Sequence, residues 1–243
     1  MNNIRLVALS VLVASSCNKD KVKIDKDLPE VYHKFYNVTE VYQDGDFVVI
    51  ETPGIPEHKS PYYSGTEWEA DLYEAYNGSN TSWNQNPNKI AIQNYTFKIP
   101  LNPAVDVAHS ATPLGPIGVA LNGVPIFNQY AAPGDDLADE INTFDQYNGH
   151  PTMDGTYHYH VEPTYLTTLL GSESIIGFLL DGFPVYGPKE DGVTVTNADL
   201  DVYHGHSHAT VDYPEGIYHY HITSTDPYIN GDGFYGSAGT VSK

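Results

Sequence analysis

The chain has one cysteine, two methionines and two tryptophans among 243 residues, and only 11 Lys plus Arg. The single thiol, Cys17, excludes an internal disulfide and any cysteine-built zinc finger or iron–sulfur site. The scarcity of basic residues leaves 31 acidic ones unbalanced, a formal net charge of -20. So acidic a body is repelled by phosphate backbones, which argues against a nucleic-acid partner. Charged residues amount to 17%, too few for a coiled coil, while 12% aromatics are too many for a disordered acidic tail. No apolar run reaches the about 20 residues that a membrane-spanning helix needs.

The longest apolar run is at the start. Arg5 precedes Leu6 to Ala14, and Ala14-Ser15-Ser16 then leads to Cys17. This order, a positive residue, a short apolar core and small residues, is that of an export signal. It resembles a bacterial lipoprotein signal, with Ala14 where Leu is more usual, and that resemblance implies lipidation at Cys17. The charged run from Asn18 to Asp27 reads as a solvated tether. The expected division is a signal peptide at 1–16, a lipid-anchored tether at 17–30 and one domain at 31–243. The lipid would attach the protein to the bacterial cell envelope, on its periplasmic or outer side.

Strand signals dominate the domain. Asp44-Gly45-Asp46 separates two apolar runs as a hairpin turn does, and Ile90 to Ile99 partly alternates apolar and polar residues. Helix is expected only at Asp135–Phe144, with Leu137, Ile141 and Phe144 at helical spacing, and at Pro163–Leu170, between Pro and Gly. Residues 31–108 form an N-terminal β part; residues 109–243 contain a duplication. Ile117 to Phe127 recurs as Ile176 to Tyr186, and Asp145 to His150 as Asp201 to His206. Gly155-Thr156-Tyr157-His158-Tyr159-His160 recurs as Gly216-Ile217-Tyr218-His219-Tyr220-His221. Two copies are too few for a solenoid and fit two halves about a pseudo-twofold axis. The expected fold is all-β or β-dominated: a single domain with that internal repeat and one or two short helices.

The two Tyr-His-Tyr-His strings, the Gly-His before each, and the Asn122-Gly123-Val124-Pro125 and Asp181-Gly182-Phe183-Pro184 strings resemble the YHYH-domain family over about 89–236. The resemblance implies a secreted, β-rich bacterial domain and carries no established activity. Family members often place Cys before each Gly-His and in the closing glycine motif. Here those places hold Tyr147 and Asn148, Tyr203 and His204, and Asp232.

In a strand, alternate side chains share a face, so His158 and His160 point one way and Tyr157 and Tyr159 the other. The same holds for His219 and His221 against Tyr218 and Tyr220. Each His-x-His pair is half of a metal site, and the twofold could bring all four imidazoles to a common space. His150 and His206 would add ligands, giving a candidate set of His150, His158, His160, His206, His219 and His221. Asp145, Asp181 and Asp201 are the candidate carboxylates to orient them. Imidazole donors without thiolate suit copper or zinc, as a metal-binding protein or a metalloenzyme acting on a small molecule. Three other readings stay open: a metal-free polar core of hydrogen-bonded histidines; a His–Asp acid–base hydrolase; and a glycan-binding surface using Trp68 and Trp83.

Overall fold

A computed structural model describes residues 22–243. The signal segment at 1–16 and Cys17 lie outside the described residues. In chain order the first strands are β1 (Lys23–Ile24), β2 (Glu40–Asp44), β3 (Phe47–Thr52) and β4 (Tyr95–Pro100). They are followed by β5 (Pro116–Ala120), β6 (Pro125–Phe127), β7 (Gly149–Pro151) and β8 (Tyr157–Tyr159). The second half has β9 (Ile175–Leu179), β10 (Pro184–Tyr186), β11 (Lys189–Glu190) and β12 (Val193–Thr194). It ends with β13 (Gly205–His208), β14 (Ile217–His221) and β15 (Thr240–Ser242). Helices are two short pieces, α1 (Glu69–Leu72) and α2 (Thr164–Leu170), with a few 3-10 turns. None of the described helices is long and apolar enough to cross a membrane.

A five-stranded sheet, ordered β1-β2-β3-β4-β15, faces an eight-stranded sheet, ordered β13-β14-β10-β9-β5-β6-β8-β7; β11 and β12 form a separate ribbon. One apolar cluster joins the two sheets: Val48, Ile50, Phe97 and Ile99 from the smaller meet Ile117, Val119, Phe178 and Val185 from the larger. The molecule is therefore one β-dominated domain. In β4 the alternation is strict, with Tyr95, Phe97 and Ile99 buried and Thr96 and Lys98 facing outward.

The duplication is laid out about the middle of the large sheet. Strands β5 and β9 pair antiparallel, with Val119 opposite Phe178, Gly118 opposite Leu179 and Ala120 opposite Gly177. Val119 and Phe178 occupy equivalent places in the repeat, so the pseudo-twofold axis passes through this pair. The flanking hydrogen bonds obey it: Leu121 N donates to Ile176 O and Leu180 N to Ile117 O, each at 2.8 Å. On either side the order is the same, hairpin, then Tyr-His-Tyr-His strand, then Gly-His strand. Each hairpin turns at a glycine in the left-handed region, Gly123 (φ 78°) and Gly182 (φ 84°). There is no room for a side chain at either: an added Cβ would lie 2.3 Å from Thr52 Oγ1 at the first and 2.5 Å from Pro100 O at the second.

Three expectations need correction. The strand expected at Ile90–Ile99 starts only at Tyr95. Asn94 adopts φ 52°, and the preceding amides of Ile90, Ala91 and Gln93 bond to Tyr62, Gly155 and Pro53, three different segments. The helix expected at Asp135–Phe144 is reduced to a 3-10 turn at Glu140–Thr143. Before it, Asp136 Oδ1 accepts from Ala138 N at 3.0 Å, the side-chain turn with which Asp competes against helix. The tether expected at 17–30 is partly built into the fold, because β1 pairs in parallel with β2 and Leu28 is buried in the core. The helix expected at Pro163–Leu170 is present as α2.

Candidate metal centres

Each Tyr-His-Tyr-His strand pairs with its Gly-His strand so that histidines stand opposite one another. His150 faces His158 across β7 and β8, and His206 faces His219 across β13 and β14. The turn before each Gly-His has a single cause. Asp145 Oδ1 accepts from Tyr147 N and Gly149 N; Asp201 Oδ1 accepts from Tyr203 N and Gly205 N. The residue before each glycine, Asn148 or His204, is left-handed. The glycine itself lies under a tyrosine ring: a Cβ on Gly149 would come within 2.3 Å of Tyr157 Cζ, and one on Gly205 within 2.5 Å of Tyr218 Cζ.

The tyrosines fill the opposite face of the strands from the histidines and take up the three candidate aspartates. Tyr157 donates to Asp145 (2.8 Å), Tyr218 to Asp201 (2.9 Å) and Tyr220 to Asp181 (2.5 Å). The remaining equivalent pair reverses the bond, Asn122 donating to Tyr159 at 3.2 Å. Asp145, Asp181 and Asp201 therefore do not orient the imidazoles directly, as the sequence reading had them do. They lie in turns on the tyrosine face of the sheet, where they fix tyrosine hydroxyls; Asp145 and Asp201 also hold the Gly-His turns, and Asp181 the second hairpin. Burial pushes the Asp145 and Asp181 carboxyls up to about 6, against the lowering pull of these donors.

The histidines gather in two separate groups. One comprises His150, His158 and His160 with Glu140; the other comprises His206, His219 and His221 with Glu190. In each group one donor atom per residue lies within 4.8 Å of all the others. The common space expected for four imidazoles does not exist, because β8 and β14 are separated by β6, β5, β9 and β10. Five strand spacings put them about 24 Å apart.

In the first group the nitrogens that converge are Nε2 atoms. His150 Nε2 is 3.1 Å from His158 Nε2, which is 2.9 Å from His160 Nε2; Glu140 Oε1 lies 3.3 Å from His150 Nε2. The Nδ1 atoms settle two of the tautomers. His158 Nδ1 meets Thr156 O and His160 Nδ1 meets Asn128 O, and a carbonyl only accepts. His150 Nδ1 meets the Thr143 hydroxyl at 2.6 Å, and that hydroxyl also lies 2.8 Å from Glu140 O. His158 and His160 therefore carry the proton on Nδ1 and turn Nε2 lone pairs to one another, while His150 Nδ1 also faces the Asn86 amide at 3.4 Å.

The second group repeats the arrangement. His219 Nδ1 donates to Ile217 O and His221 Nδ1 to Gly187 O, while His206 Nε2 lies 3.2 Å from His219 Nε2. Glu190 reaches His206 at 3.3 Å and His219 at 3.4 Å. His221 Nε2 is buried with no hydrogen-bond partner. Desolvation lowers the pKa of His150 to about 3 and those of His160 and His221 to about 4, and it lowers those of His158 and His219 as well.

Converging lone pairs of neutral imidazoles repel unless a cation sits among them. Three imidazole nitrogens and one carboxylate oxygen, with two of the three Nδ1–H groups in each set fixed by backbone carbonyls, form a donor set that suits a transition metal.

Glu140 and Glu190 were not among the sequence-based candidates. They occupy no equivalent positions in the repeat, Glu140 on a 3-10 turn and Glu190 on β11. Their only common signal is to lie between the second hairpin strand and the Gly-His strand in each half. His58 bonds to the Tyr159 hydroxyl on the tyrosine face, away from both groups. Of the residues considered for glycan stacking, Trp68 packs edge-on against Tyr63 and Trp83 stacks flat on Tyr76 at 4.4 Å.

Comparison with curated proteins and with solved structures gave no match. A family model described as "YHYH protein" matches residues 96–194 and 189–233, a span that takes in both hairpins, both Tyr-His-Tyr-His strands and both groups. The chain therefore belongs to the YHYH family.

Proposed function

We propose that this is an exported, lipid-anchored protein of the bacterial cell envelope that binds one transition-metal ion, copper or zinc, at each of the two centres. The observation that carries the metal reading is the convergence of Nε2 atoms, four of whose six imidazoles have the Nδ1 proton committed to a backbone carbonyl, His158 and His160 facing each other at 2.9 Å. A metal-free hydrogen-bonded core would need alternating donors and acceptors at these contacts. The export and lipid reading is supported by Arg5, the apolar run Leu6–Ala14 and Cys17.

The test is elemental analysis of the protein purified without a metal-binding tag and reconstituted with copper or zinc. The expected result is one equivalent per centre, two in all. His158→Ala should remove one, His219→Ala the other, and the double variant both. Unchanged metal content in the double variant, or none in the parent protein, overturns the proposal.

A further inference from the structure

The two centres share a donor set and differ in what covers it. Phe127 lies over the His158 ring with centroids 3.9 Å apart. Phe144 is parallel to His160 at 5.8 Å and edge-on to His150 at 4.8 Å. Phe144 and the three imidazoles are all buried. These rings cover the imidazoles of the first centre with hydrocarbon; the cavity of about 640 Å³ on that side meets the centre at Glu140 and Thr143 and is lined by no histidine.

The repeat puts different residues around the second centre. Tyr186 replaces Phe127, and Leu200 stands where Phe144 stood, one residue before the aspartate of the Gly-His turn. Tyr186 turns its edge to His219 at 4.9 Å and shares a hydrogen bond with the Thr210 hydroxyl. Beside it a cavity of about 640 Å³ opens against Glu190 and His221, with Lys34, Lys189 and Thr210 on its walls. The His206 side chain is 26% exposed, against 3% for His150, its counterpart. The unpartnered Nε2 belongs to His221, on the wall of that cavity. His208, two residues after the Gly-His, binds Glu190 Oε1 at 3.0 Å and steadies the carboxylate. Thr152 holds the matching position in the first half.

We infer that the second centre is the working one: its ion takes an exchangeable small polar ligand, bound through an oxygen or nitrogen atom, from the cavity beside Glu190 and His221, whereas the first centre, whose imidazoles line no cavity, holds its ion as a structural site. The inference rests on the metal reading above. Ligand exchange at a metal requires an incoming donor to reach it, and a hydrophobic shell governs that access. The cavity is of the size that holds small molecules, and its lining of lysines, carboxylates and hydroxyls suits a hydrogen-bonding ligand.

The experiment uses cobalt(II) as the probe metal and azide as the probe ligand. Protein carrying two equivalents of cobalt is titrated with azide and followed by visible absorption, then challenged with a chelator. Azide should perturb one equivalent only, and chelator release should be biphasic, the fast phase about tenfold or more ahead of the slow one. His221→Ala should remove the azide response and the fast phase; His160→Ala should leave both. The wild-type titration and release do not depend on either variant folding. Two bound ions that both respond to azide, or neither, or that leave in one phase, overturn the inference. Failure to bind cobalt at all overturns the metal reading instead.

Discussion

Metal-free protein should lose stability steeply just below neutral pH. Six of the seven buried imidazoles resist protonation strongly in the fold because burial desolvates the charged form. The pKa of His150 falls to about 3, those of His58, His160, His204 and His221 to about 4, and that of His158 well below its ordinary value. In the unfolded chain each titrates near about 6.5. Their contribution is therefore complete above that value and is lost as pH falls toward the folded values. At about pH 5.5 the unfolded chain holds roughly five protons that the folded chain does not.

Asp145 and Asp181 act in the opposite sense. Raised to about 6, they take up protons in the fold before the unfolded chain does, so acidification through that range favours the folded state. Together they offset roughly one and a half protons, leaving roughly four net, or about 5 kcal/mol lost per pH unit. That is comparable with the whole stability of an ordinary domain, about 5–15 kcal/mol, so the imidazoles decide the outcome. The assay is urea unfolding by tyrosine and tryptophan fluorescence, in chelator, at several pH values between about 7 and 5.5. A loss below about 1 kcal/mol per pH unit, or a gain, would refute the reasoning and show that these imidazoles protonate within the fold.

Tyr157→Phe removes a donor from buried Asp145 and should cost about 1.5–3 kcal/mol, read as a lower urea midpoint. Asp145 should then titrate above about 6, measurable by NMR of its carboxyl carbon. Gly149→Ala drives a methyl group into the Tyr157 ring and should destabilise by about 1–3 kcal/mol, while Gly45→Ala, where nothing lies within 4 Å, should cost less. Comparing the two midpoints separates the clash from the cost of a positive φ. Metal at a hundredfold excess over its dissociation constant should raise the melting temperature by roughly 5–10 °C per centre, checked by calorimetry with and without chelator.

The histidines were legible because two strict rules govern them: strand alternation assigns His158 and His160 to one face, and a repeated Gly-His marks the neighbouring strand. What could not be read was which strands meet. The strings Ile117–Phe127 and Ile176–Tyr186 announce a twofold, yet nothing in them states that the self-paired strands are β5 and β9 rather than β8 and β14. That choice separates one four-imidazole site from two three-imidazole sites. The glutamates escaped for a different reason. Each reaches its centre from an irregular connection, at ten residues before His150 in one half and sixteen before His206 in the other, so no shared spacing exposes them. Asp145 and Asp201 were misplaced because their nearness in sequence to Gly-His hides a turn that carries their side chains to the tyrosine face.

The junction at Val119 and Phe178 has the form of an isologous dimer interface enclosed within one chain: equivalent strands, antiparallel, each giving the other the same bonds. All four donors of the first centre come from residues 140–160, and all four of the second from 190–221. Neither half borrows a ligand from the other. A change around one ion therefore leaves its counterpart's donors in place, and the duplicate is free to acquire a separate task while its sibling goes on holding the sheet together.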